Sequence, residues 1–381
     1  MASRYRFISC HPVLGNMLHP KLDLIDAKWN WVLGGNGQLT AKITVPEDDV
    51  PRASIKEATT PWASAIYVKK QSDNSYPWGG PIIKRTWNRR SGQIDITAVE
   101  WRSWLYMVIM DPFTDSDRFY TFVNQDQLII ARTLVQDVTL FGAVTGCPPI
   151  DYDFSLLSGK YRDLNFYGTQ MIRAGNAIDS MANRDGGFEW TLGIKPNTTN
   201  GLPRLSLDLG YPERGSFIDG LHFKSTQRGS NCEPGDVTED ASQQYNRFWT
   251  TGAGQPPDQM FSYDFLPNLG GAGVLRLDGS ASYPSVIERN TLFSHARRAR
   301  KFYSDGTQTI PVEHNWGQID PDSYQVGDRG RLQIKDRLTD IDLSAARVVS
   351  KEVSNSGAGS VKVIVDLTDY TLPEVDAGGV V

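Results

Sequence analysis

The sequence has few cysteines and no long apolar run, and both absences narrow the possible classes of protein. Its 381 residues include three widely separated cysteines, Cys10, Cys147 and Cys232, with no CxxC pair. This odd, scattered set disfavours a disulfide framework or a structural zinc site and predicts buried free thiols. No segment approaches the ~20 apolar residues of a membrane helix, and the N-terminal MASRYRFISCHPVLG contains no signal-peptide core. We therefore expect a soluble protein made in the cytoplasm.

Motifs for catalysis and for cofactor binding are also missing. The histidines include no HExxH pair, and the sequence contains no GxSxG elbow. GGNG at Gly34 and GGAG at Gly270 lack the spacing of dinucleotide or phosphate loops, so we interpret both as turns. Cys10, His11 and His19 form a local cluster, but LGNML does not provide the fourth ligand and tight turn of a tetrahedral site. We predict no catalytic residue, no metal ligand and no cofactor.

Carboxylates are abundant, so a catalytic acid and base stay possible. Asp151, Asp153 and the segment 47–49 lie in predicted surface regions. A glycosidase needs two carboxylates about 5 to 10 Å apart across a cleft, and sequence spacing does not fix that distance in a β-rich fold.

The composition favours a fold of short strands. Gly 35 and Pro 21 supply many turns. The 10 Trp, 15 Tyr and 15 Phe are typical of sheet packing, with a carbohydrate or protein contact surface as the alternative. A chain of 381 residues predicts about two or three domains. The net charge of −5 argues against neutralisation of nucleic acid by the chain as a whole.

Alternating apolar residues predict a small antiparallel barrel near the N-terminus. The predicted strands are 28–33, 38–45, 65–70, 81–87 and 94–98. Closure of these strands would remove exposed edges. We assign Trp29, Trp31 and Trp87 to the core of this barrel.

The segment 164–192 contains the clearest helix-then-strand unit. Its apolar residues recur every three or four positions, as on one helical face: Tyr167, Met171, Ala174, Ile178 and Met181. Gly186 and Gly187 can end the helix, and the next residues alternate as in a strand around Trp190. We predict that Trp190 packs on this helical face and that Tyr167, Met171, Ile178 and Met181 are core residues.

The rest of the chain is predicted as further strands, two helices and a polar insertion. The helices are 119–141 and 290–303, the second capped by Asn290, and 227–281 is interpreted as an insertion or surface loop. The strands are 203–209, 217–223, 327–334, 347–353 and 361–367. The pattern of 27–101 recurs in 324–367, which predicts a second barrel.

Four segments, in this order, carry a resemblance to a known family. They are the hairpin WNWVLGGNGQLTAKITVP, the segment YPWGGPIIKRTWNRRSGQIDITAVEWRSWL, the helix end GGFEWTL and the late QVGDRGRLQIKD. Their order resembles the baseplate hub family of phage tails, in particular the hub-type minor tail proteins of actinobacterial siphophages. The resemblance spans nearly the whole chain, and its motifs are patterns of strand, glycine and aromatic residues, not a catalytic signature.

The resemblance implies a mainly β fold with an α/β module, in which two small antiparallel β-barrels of tail-tube type flank a helix-bearing middle domain. The implied division has four parts: a first barrel at 1–110; a middle domain at 111–200 and 236–305 with a loop-rich insertion; a second barrel at 201–235 and 306–373; and a C-terminal tail at 374–381.

The resemblance also implies a structural role without enzymatic activity. The family forms a homotrimeric ring at the virion tail tip that closes a tube of six-subunit rings. This hub contacts the distal tail protein ring, the tape measure protein and tail fibre or spike proteins, and DNA crosses its lumen during genome ejection. No membrane insertion by this chain is implied, and we expect any cell-wall hydrolase to be another chain.

Two other functions stay open at this stage. A tail-associated peptidoglycan or glycan hydrolase should show a cleft with convergent carboxylates. A carbohydrate-binding adhesin that uses the Trp-rich N-terminal region should show exposed, coplanar aromatic rings. A hub should instead bury its aromatic residues in barrels and at subunit contacts.

Overall fold

The structure is a computed structural model, and the chain is mainly β, with 46% strand and 16% helix. The described residues are 4–110, 119–140, 146–167, 170–267, 275–284, 286–304, 307–337, 339–356 and 359–367. The predicted turn at Gly270 and the predicted tail at 374–381 lie outside these residues. The described strands form one 15-stranded sheet and three smaller sheets.

Seven strands near the N-terminus form the first strand set. They are β1 (Tyr5–Cys10), β2 (Met17–Leu22), β3 (Leu24–Val32), β4 (Gln38–Thr44), β5 (Ala65–Lys70), β6 (Trp78–Asn88) and β7 (Gln93–Val99). They lie in the order β3-β4-β7-β6-β5-β1-β2 with antiparallel pairing throughout. The five predicted strands are confirmed. They could be predicted because strands such as β4 bury every second residue, for example Leu39 and Ile43.

Two strands and one helix in this region were not predicted. These two strands are β1 and β2. Strand β1 is buried on both faces, since Phe7 faces one core while Ile8 faces another. Such strands lack the polar alternation on which the prediction depends. Helix α1 (Asp49–Ala58) lies between β4 and β5, where no element was predicted, and buries only Ile55 and Ala58.

The C-terminal half supplies the second strand set. Its members are β13 (Phe217–Thr226), β14 (Gly229–Ser230), β15 (Glu233–Pro234), β16 (Thr238–Asp240), β20 (Thr307–Asn315), β21 (Arg329–Lys335), β22 (Asp340–Ser354) and β23 (Ser360–Asp366). Most pairs are antiparallel, but β13 pairs with β21 in parallel, which the prediction of an antiparallel barrel did not include. In the described part of the chain, neither strand set closes into a complete hydrogen-bonded cylinder.

The long strand β22 joins the two strand sets. One of its edges pairs first with β21, from Asp340 to Arg347, and then with β3, from Ser350 to Ser354. Its other edge pairs with β23. A register shift near Val348 lies between the two pairings, as expected for a bulge that redirects a strand. One continuous sheet therefore runs through both halves of the chain.

The middle module contains short sheets and helices. Its elements are α2 (Arg102–Leu105), β8 (Phe119–Asp126), α3 (Gln127–Thr139), β9 (Ile150–Asp151), β10 (Tyr161–Tyr167), α4 (Ala174–Ala182), β11 (Glu189–Pro196) and β12 (Pro203–Gly210). Strand β12 pairs with β11, so 203–210 belongs to the sheet of this module and not to the predicted second barrel. The predicted helix at 119–141 begins later, because its first part is strand β8.

The helix predicted from Tyr167 is wrong in its first half. Residues 161–167 form strand β10, which pairs with β8 and buries Leu164 and Phe166 alternately. Tyr167 and Met171 are 45% and 62% exposed, and Met171 has a φ of 47°. The helix begins at Ala174, because an earlier start would remove the β8–β10 ladder.

The insertion contains a small α/β unit where a loop was predicted. Strands β17 (Arg247–Thr251), β18 (Phe261–Phe265) and β19 (Asp278–Ser282) form a sheet in the order β18-β17-β19. Helix α5 (Arg289–Tyr303) contacts β17 and β18 and buries Leu292 and Ala296. Its N-cap is Glu288, not the predicted Asn290.

Two hydrophobic cores result from this arrangement. The first fills the two strand sets and contains Trp29, with Trp31 partly buried against it. The second fills the middle module and contains Ile178, Met181 and Trp190. Trp87 was assigned to the core but is 42% exposed, because β6 extends beyond the core and the ring contacts the guanidinium of Arg85.

Candidate functional site at the junction of the modules

A cleft of about 360 Å³ lies where the two strand sets and the middle module meet. The first strand set contributes Trp31 and Trp78, the middle module contributes Ile194, and the second strand set contributes Tyr324 and Lys351. A concave site with perturbed ionisable groups is the default candidate for function.

Lys351 is a buried cation at the floor of this cleft. Its side chain lies beside Trp31, its cross-strand partner in the β22–β3 ladder, and its Nζ is 4.7 Å from the centre of that ring. The Nζ also lies 4.6 Å from the ring centre of Tyr324 and donates hydrogen bonds to the carbonyl oxygens of Pro321 and Tyr324. Burial lowers the pKa of Lys351 to about 8, although Asp322 acts in the opposite direction. The ammonium group thus links β22 to the loop that precedes β21.

Glu100 is the second perturbed group of the cleft. It follows β7, and its Oε2 accepts a hydrogen bond from the backbone N–H of Gly37 in the predicted GGNG turn. A Cβ at position 37 would approach the carbonyl oxygen of Asn30 to 1.9 Å, so this turn requires glycine. Burial raises the pKa of Glu100 to about 7, and the hydrogen bond from Gly37 reduces this effect.

Asp322 connects the N-terminal strand to the second strand set. Its carboxylate accepts hydrogen bonds from the guanidinium of Arg4 at 2.9 Å and from the hydroxyl of Tyr5 at 2.9 Å. Lys70 on β5 lies 3.4 Å away as an ion pair. Three side chains from β5 and the β1 region therefore converge on one carboxylate.

A partly buried ion network connects the middle module to the second strand set. Arg347 on β22 donates to Glu189 of β11 at 2.7 Å and lies 3.6 Å from Glu213. Glu213 also accepts from Arg329 at 2.8 Å. These side chains are 12% to 22% exposed, so water screens them less than surface pairs.

A third contact connects the middle module to the first strand set through Arg102 of α2, which donates a hydrogen bond to the carbonyl oxygen of Gly35 at 3.4 Å. The guanidinium of Arg102 lies 4.2 Å from the ring centre of Trp190 and 3.2 Å from Asp179 on α4. Asp179 also accepts hydrogen bonds from the indole of Trp190 at 2.9 Å and from the hydroxyl of Tyr106 at 2.6 Å. The buried Arg102 is therefore both paired and hydrogen-bonded.

The charged side chains of the cleft form structural contacts within the protein. Glu100 has the raised pKa of a general acid, but it is held by a backbone N–H. The carboxylates of Asp73, Asp208 and Asp322 also accept hydrogen bonds from protein donors. Lys351 and Asp322 thus connect segments that are distant in the sequence, and Glu100 and Asp73 fix local turns.

The residues considered for metal binding are not brought together. Cys10, Cys147 and Cys232 are buried and form no disulfide with one another. His11 and His19 each accept hydrogen bonds from nearby backbone N–H groups through Nδ1. Within the described ranges, no group of three or more metal-ligating side chains is present. None of the helices in the same ranges combines the length and apolar character that a bilayer crossing requires.

Sequence reasoning did not identify Lys351, Glu100 or Arg347. The pattern gave one signal: Lys351 occupies the same phase as the buried Val353 in an alternating strand, where a charged residue is unusual. Glu100 and Arg347 lie among polar neighbours and give no such signal, because their partners are distant in the sequence.

Comparison with solved structures finds proteins of similar fold. No protein-family model and no curated protein matches the chain. The 43 kDa tail protein of prophage MuSo2 from Shewanella oneidensis is similar in structure, with a TM-score of 0.55, 11% identity and coverage of 95% of this chain and 98% of that chain. The tail protein from Neisseria meningitidis MC58 gives a TM-score of 0.54, 11% identity and coverage of 95% and 96%.

A third solved structure agrees with these two. The prophage tail protein gp18 from Listeria monocytogenes EGD-e gives a TM-score of 0.52, 10% identity and coverage of 95% of this chain and 94% of that chain. The likeness extends over nearly the full length of each chain, so it includes both strand sets, the middle module and the insertion. The chain therefore has the fold of these tail proteins.

Proposed function

We propose that this chain is a structural component of a phage tail, and that it serves as the baseplate hub at the tail tip. The observation that carries the proposal is the end-to-end likeness to three tail proteins of similar length. The junction supports it, because partly buried ion pairs and a shared strand hold the modules in one arrangement, as a load-carrying part requires.

In this proposal the two strand sets are the two tail-tube barrels of the hub. The division follows the one predicted from sequence, except that 203–210 joins the middle domain. Three copies would offer six similar docking surfaces to a tube of six-subunit rings, and a closed ring requires a heterologous contact between the first barrel of one copy and the second barrel of the next. Such a contact would cover open sheet edges, which both sets retain.

The partners follow from the same position at the tail tip. The ring would contact the distal tail protein ring and the tape measure protein and would carry fibres or a spike. DNA would cross its lumen during ejection, and the net charge of −5 suits passage because a basic channel would retain phosphates.

The two alternatives have less support. For a hydrolase, the residue of interest is Glu100, whose pKa is raised to about 7, but its position is explained by the Gly37 turn. For an adhesin of the N-terminal region, the tryptophan rings should be exposed together; Trp29, Trp78 and Trp101 are 1% to 2% exposed, and Trp62 and Trp87 are 46% and 42% exposed.

The deciding measurement is the copy number of the chain in its native particle, obtained by electron microscopy of the tail tip. Three copies around a central channel, with neighbouring barrels side by side, support the proposal; one copy or six copies reject it. A cell-wall zymogram tests the enzymatic alternative separately. Clearing by the purified parent that is lost in Glu100→Gln would replace the structural role with a hydrolase.

A further inference from the structure

The insertion sheet presents an ordered array of side chains on its outward face. In the β17–β18 ladder, Arg247, Trp249 and Thr251 lie opposite Phe265, Tyr263 and Phe261. In the β17–β19 ladder, the same three residues lie beside Asp278, Ser280 and Ser282. Because partners across a ladder point to the same side of a sheet, these nine residues form three rows of three. We name this array the platform.

The platform faces solvent, and its underside is the core of the insertion. The intervening residues Phe248, Thr250 and Ser262 are buried on the side of α5. On the outward side, Phe261, Tyr263 and Phe265 are 49%, 38% and 50% exposed. Single exposed aromatic residues are common on protein surfaces, but a contiguous exposed group is typical of an interaction site.

The rings of the platform are close together and moderately tilted. The ring centres of Trp249 and Tyr263 are 4.6 Å apart, with an angle of 37° between the planes. Tyr263 and Phe265 are 6.0 Å apart at 31°, and Trp249 and Phe261 are 6.3 Å apart at 40°. The rings therefore form a continuous aromatic strip along β18 and the centre of β17.

The charges of the platform are paired with each other and with the neighbouring Arg276, whose Nε donates a hydrogen bond to Asp278 at 2.7 Å. Asp278 lies 3.6 Å from Arg247 as an ion pair and accepts a hydrogen bond from the indole N–H of Trp249 at 3.2 Å. The guanidinium of Arg247 also lies 4.3 Å from the ring centre of Trp249. The carboxylate of Asp278 is thus neutralised by neighbouring cations and is not presented to a ligand as a free charge.

We infer that the platform binds an uncharged glycan chain. A sugar ring has an apolar face of C–H groups, which pack on aromatic rings, and a rim of hydroxyl groups, which need hydrogen-bond partners. The aromatic strip provides the first surface, and the exposed column of Asp278, Ser280 and Ser282 provides the second. Rows recur every two residues, or about 6.8 Å along the strand, which suits a ligand with a repeating unit.

The arrangement favours a glycan over a protein partner. The centre of a protein interface is continuously apolar and depleted of charge, whereas here a column of hydroxyl and carboxyl groups runs directly beside the rings. A shallow depression of about 370 Å³ lies between β18 and α5, lined by Ser262 and Tyr263 of the strand and by Arg289, Asn290 and Phe293 of the helix. The depression has room for a substituent of a sugar ring, and its polar groups can form hydrogen bonds with that substituent. This inference depends on the insertion sheet alone, so it stands apart from the proposed hub function.

The test is titration calorimetry of the full chain with three uncharged probes, chitohexaose, cellohexaose and maltohexaose. We expect at least one probe to bind and Tyr263→Ala to weaken that binding about fivefold to tenfold, the effect of one lost ring contact. Tyr263→Phe should retain most of the affinity. Trp87→Ala is the matched control, because Trp87 is 42% exposed but lies in the first strand set, and it should bind as the parent does.

Several outcomes would overturn the inference. The first is that none of the three probes binds to the parent. The second is that Tyr263→Ala and the exposed-site variant Phe265→Ser both bind as tightly as the parent. Circular dichroism of both variants shows whether the sheet is intact, and the two substitutions are at exposed positions so that folding is retained. A concentration-dependent dimer that is lost in Tyr263→Ala would assign the platform to a second copy of the chain. A negative result here would leave the copy-number test of the hub unchanged.

Discussion

Replacement of Trp190 by alanine tests the contact between β11 and α4. The indole is 3% exposed and packs in the middle-module core with Ile178 and Met181. Its N–H donates to Asp179, and the guanidinium of Arg102 lies over its ring at 4.2 Å. The substitution therefore removes a core ring, a hydrogen bond and the surface against which a buried cation packs.

The expected cost is on the order of 3 to 5 kcal/mol, the usual range for a buried large aromatic side chain replaced by alanine. We expect the upper part of this range, because Arg102 loses a cation–π contact of about 1 to 2 kcal/mol in a desolvated position. Asp179 keeps the hydrogen bond from Tyr106 and the ion pair with Arg102, which limits the additional loss. For a module of about 100 residues, in which 1 kcal/mol corresponds to about 4 to 8 °C, a loss of about 4 to 5 kcal/mol lowers the melting temperature by roughly 16 to 40 °C.

The assay is thermal unfolding followed by near-ultraviolet circular dichroism, which reports tertiary packing. Trp87→Ala is the matched control, since it removes the same side chain from a position that is 42% exposed, and it should cost about 0.5 kcal/mol. Trp190→Phe should fall between the two, because it keeps an aromatic ring and loses the N–H donor. If Trp190→Ala melts with Trp87→Ala, the packing of β11 against α4 is wrong.

Three further substitutions test the junction. Burial lowers the pKa of Lys351 from 10.5 to about 8, so the unfolded chain binds more protons between these values and the parent should gain stability as pH rises from 8 towards 10, before tyrosine ionisation opposes it. Urea unfolding of Lys351→Met should lack this rise, and an unchanged slope would contradict it. Burial raises the pKa of Glu100 from 4.5 to about 7, so the parent should lose stability as pH rises through 7. Glu100→Gln should therefore be more stable than the parent by about 1 to 3 kcal/mol above that pH. Near pH 4.5, the pKa of the group in the unfolded chain, the two proteins should be equally stable. Equal stability above pH 7 as well would refute the burial of this carboxyl. Arg347→Met leaves Glu189 without its cation and should cost about 1 to 3 kcal/mol. Arg331→Met is the control, because the Arg331 side chain is 50% exposed, and it should cost under about 0.5 kcal/mol. If chemical denaturation gives the same cost for Arg347→Met and Arg331→Met, the Arg347 network is not stabilising.

The sequence was informative where a strand is buried on one face. Strand β4 alternates strictly and β7 alternates up to Ala98, and both were predicted because their polar residues face away from the first core. Strand β1 was missed because its two faces enter different cores. The spacing of Tyr167 and Met171 was misleading, since three- and four-residue intervals also occur by chance in a strand followed by a loop.

The junction was less accessible because its contacts are set by pairing between distant segments. Lys351 lies beside Trp31 through the register of the β22–β3 ladder, which alternation within either strand does not specify. The platform was hidden for another reason. The pattern of β17 and β18 is short and lies in a Gly- and Pro-rich region, so it gave no strong periodic signal.

The strand shared between the two halves also governs the order of events during synthesis. Strand β3 cannot complete its pairing until β22 has been made, and the clip between Arg4 and Asp322 joins residues 318 positions apart. At bacterial rates of about 5 to 20 residues per second, the N-terminal strands wait roughly 15 to 60 s on the ribosome for their partner. During that interval the edge of β3 is open to pairing with other chains. The nascent chain therefore depends on slow, long-range closure, and its yield should be sensitive to the concentration of unfinished chains and to chaperones that cover strand edges.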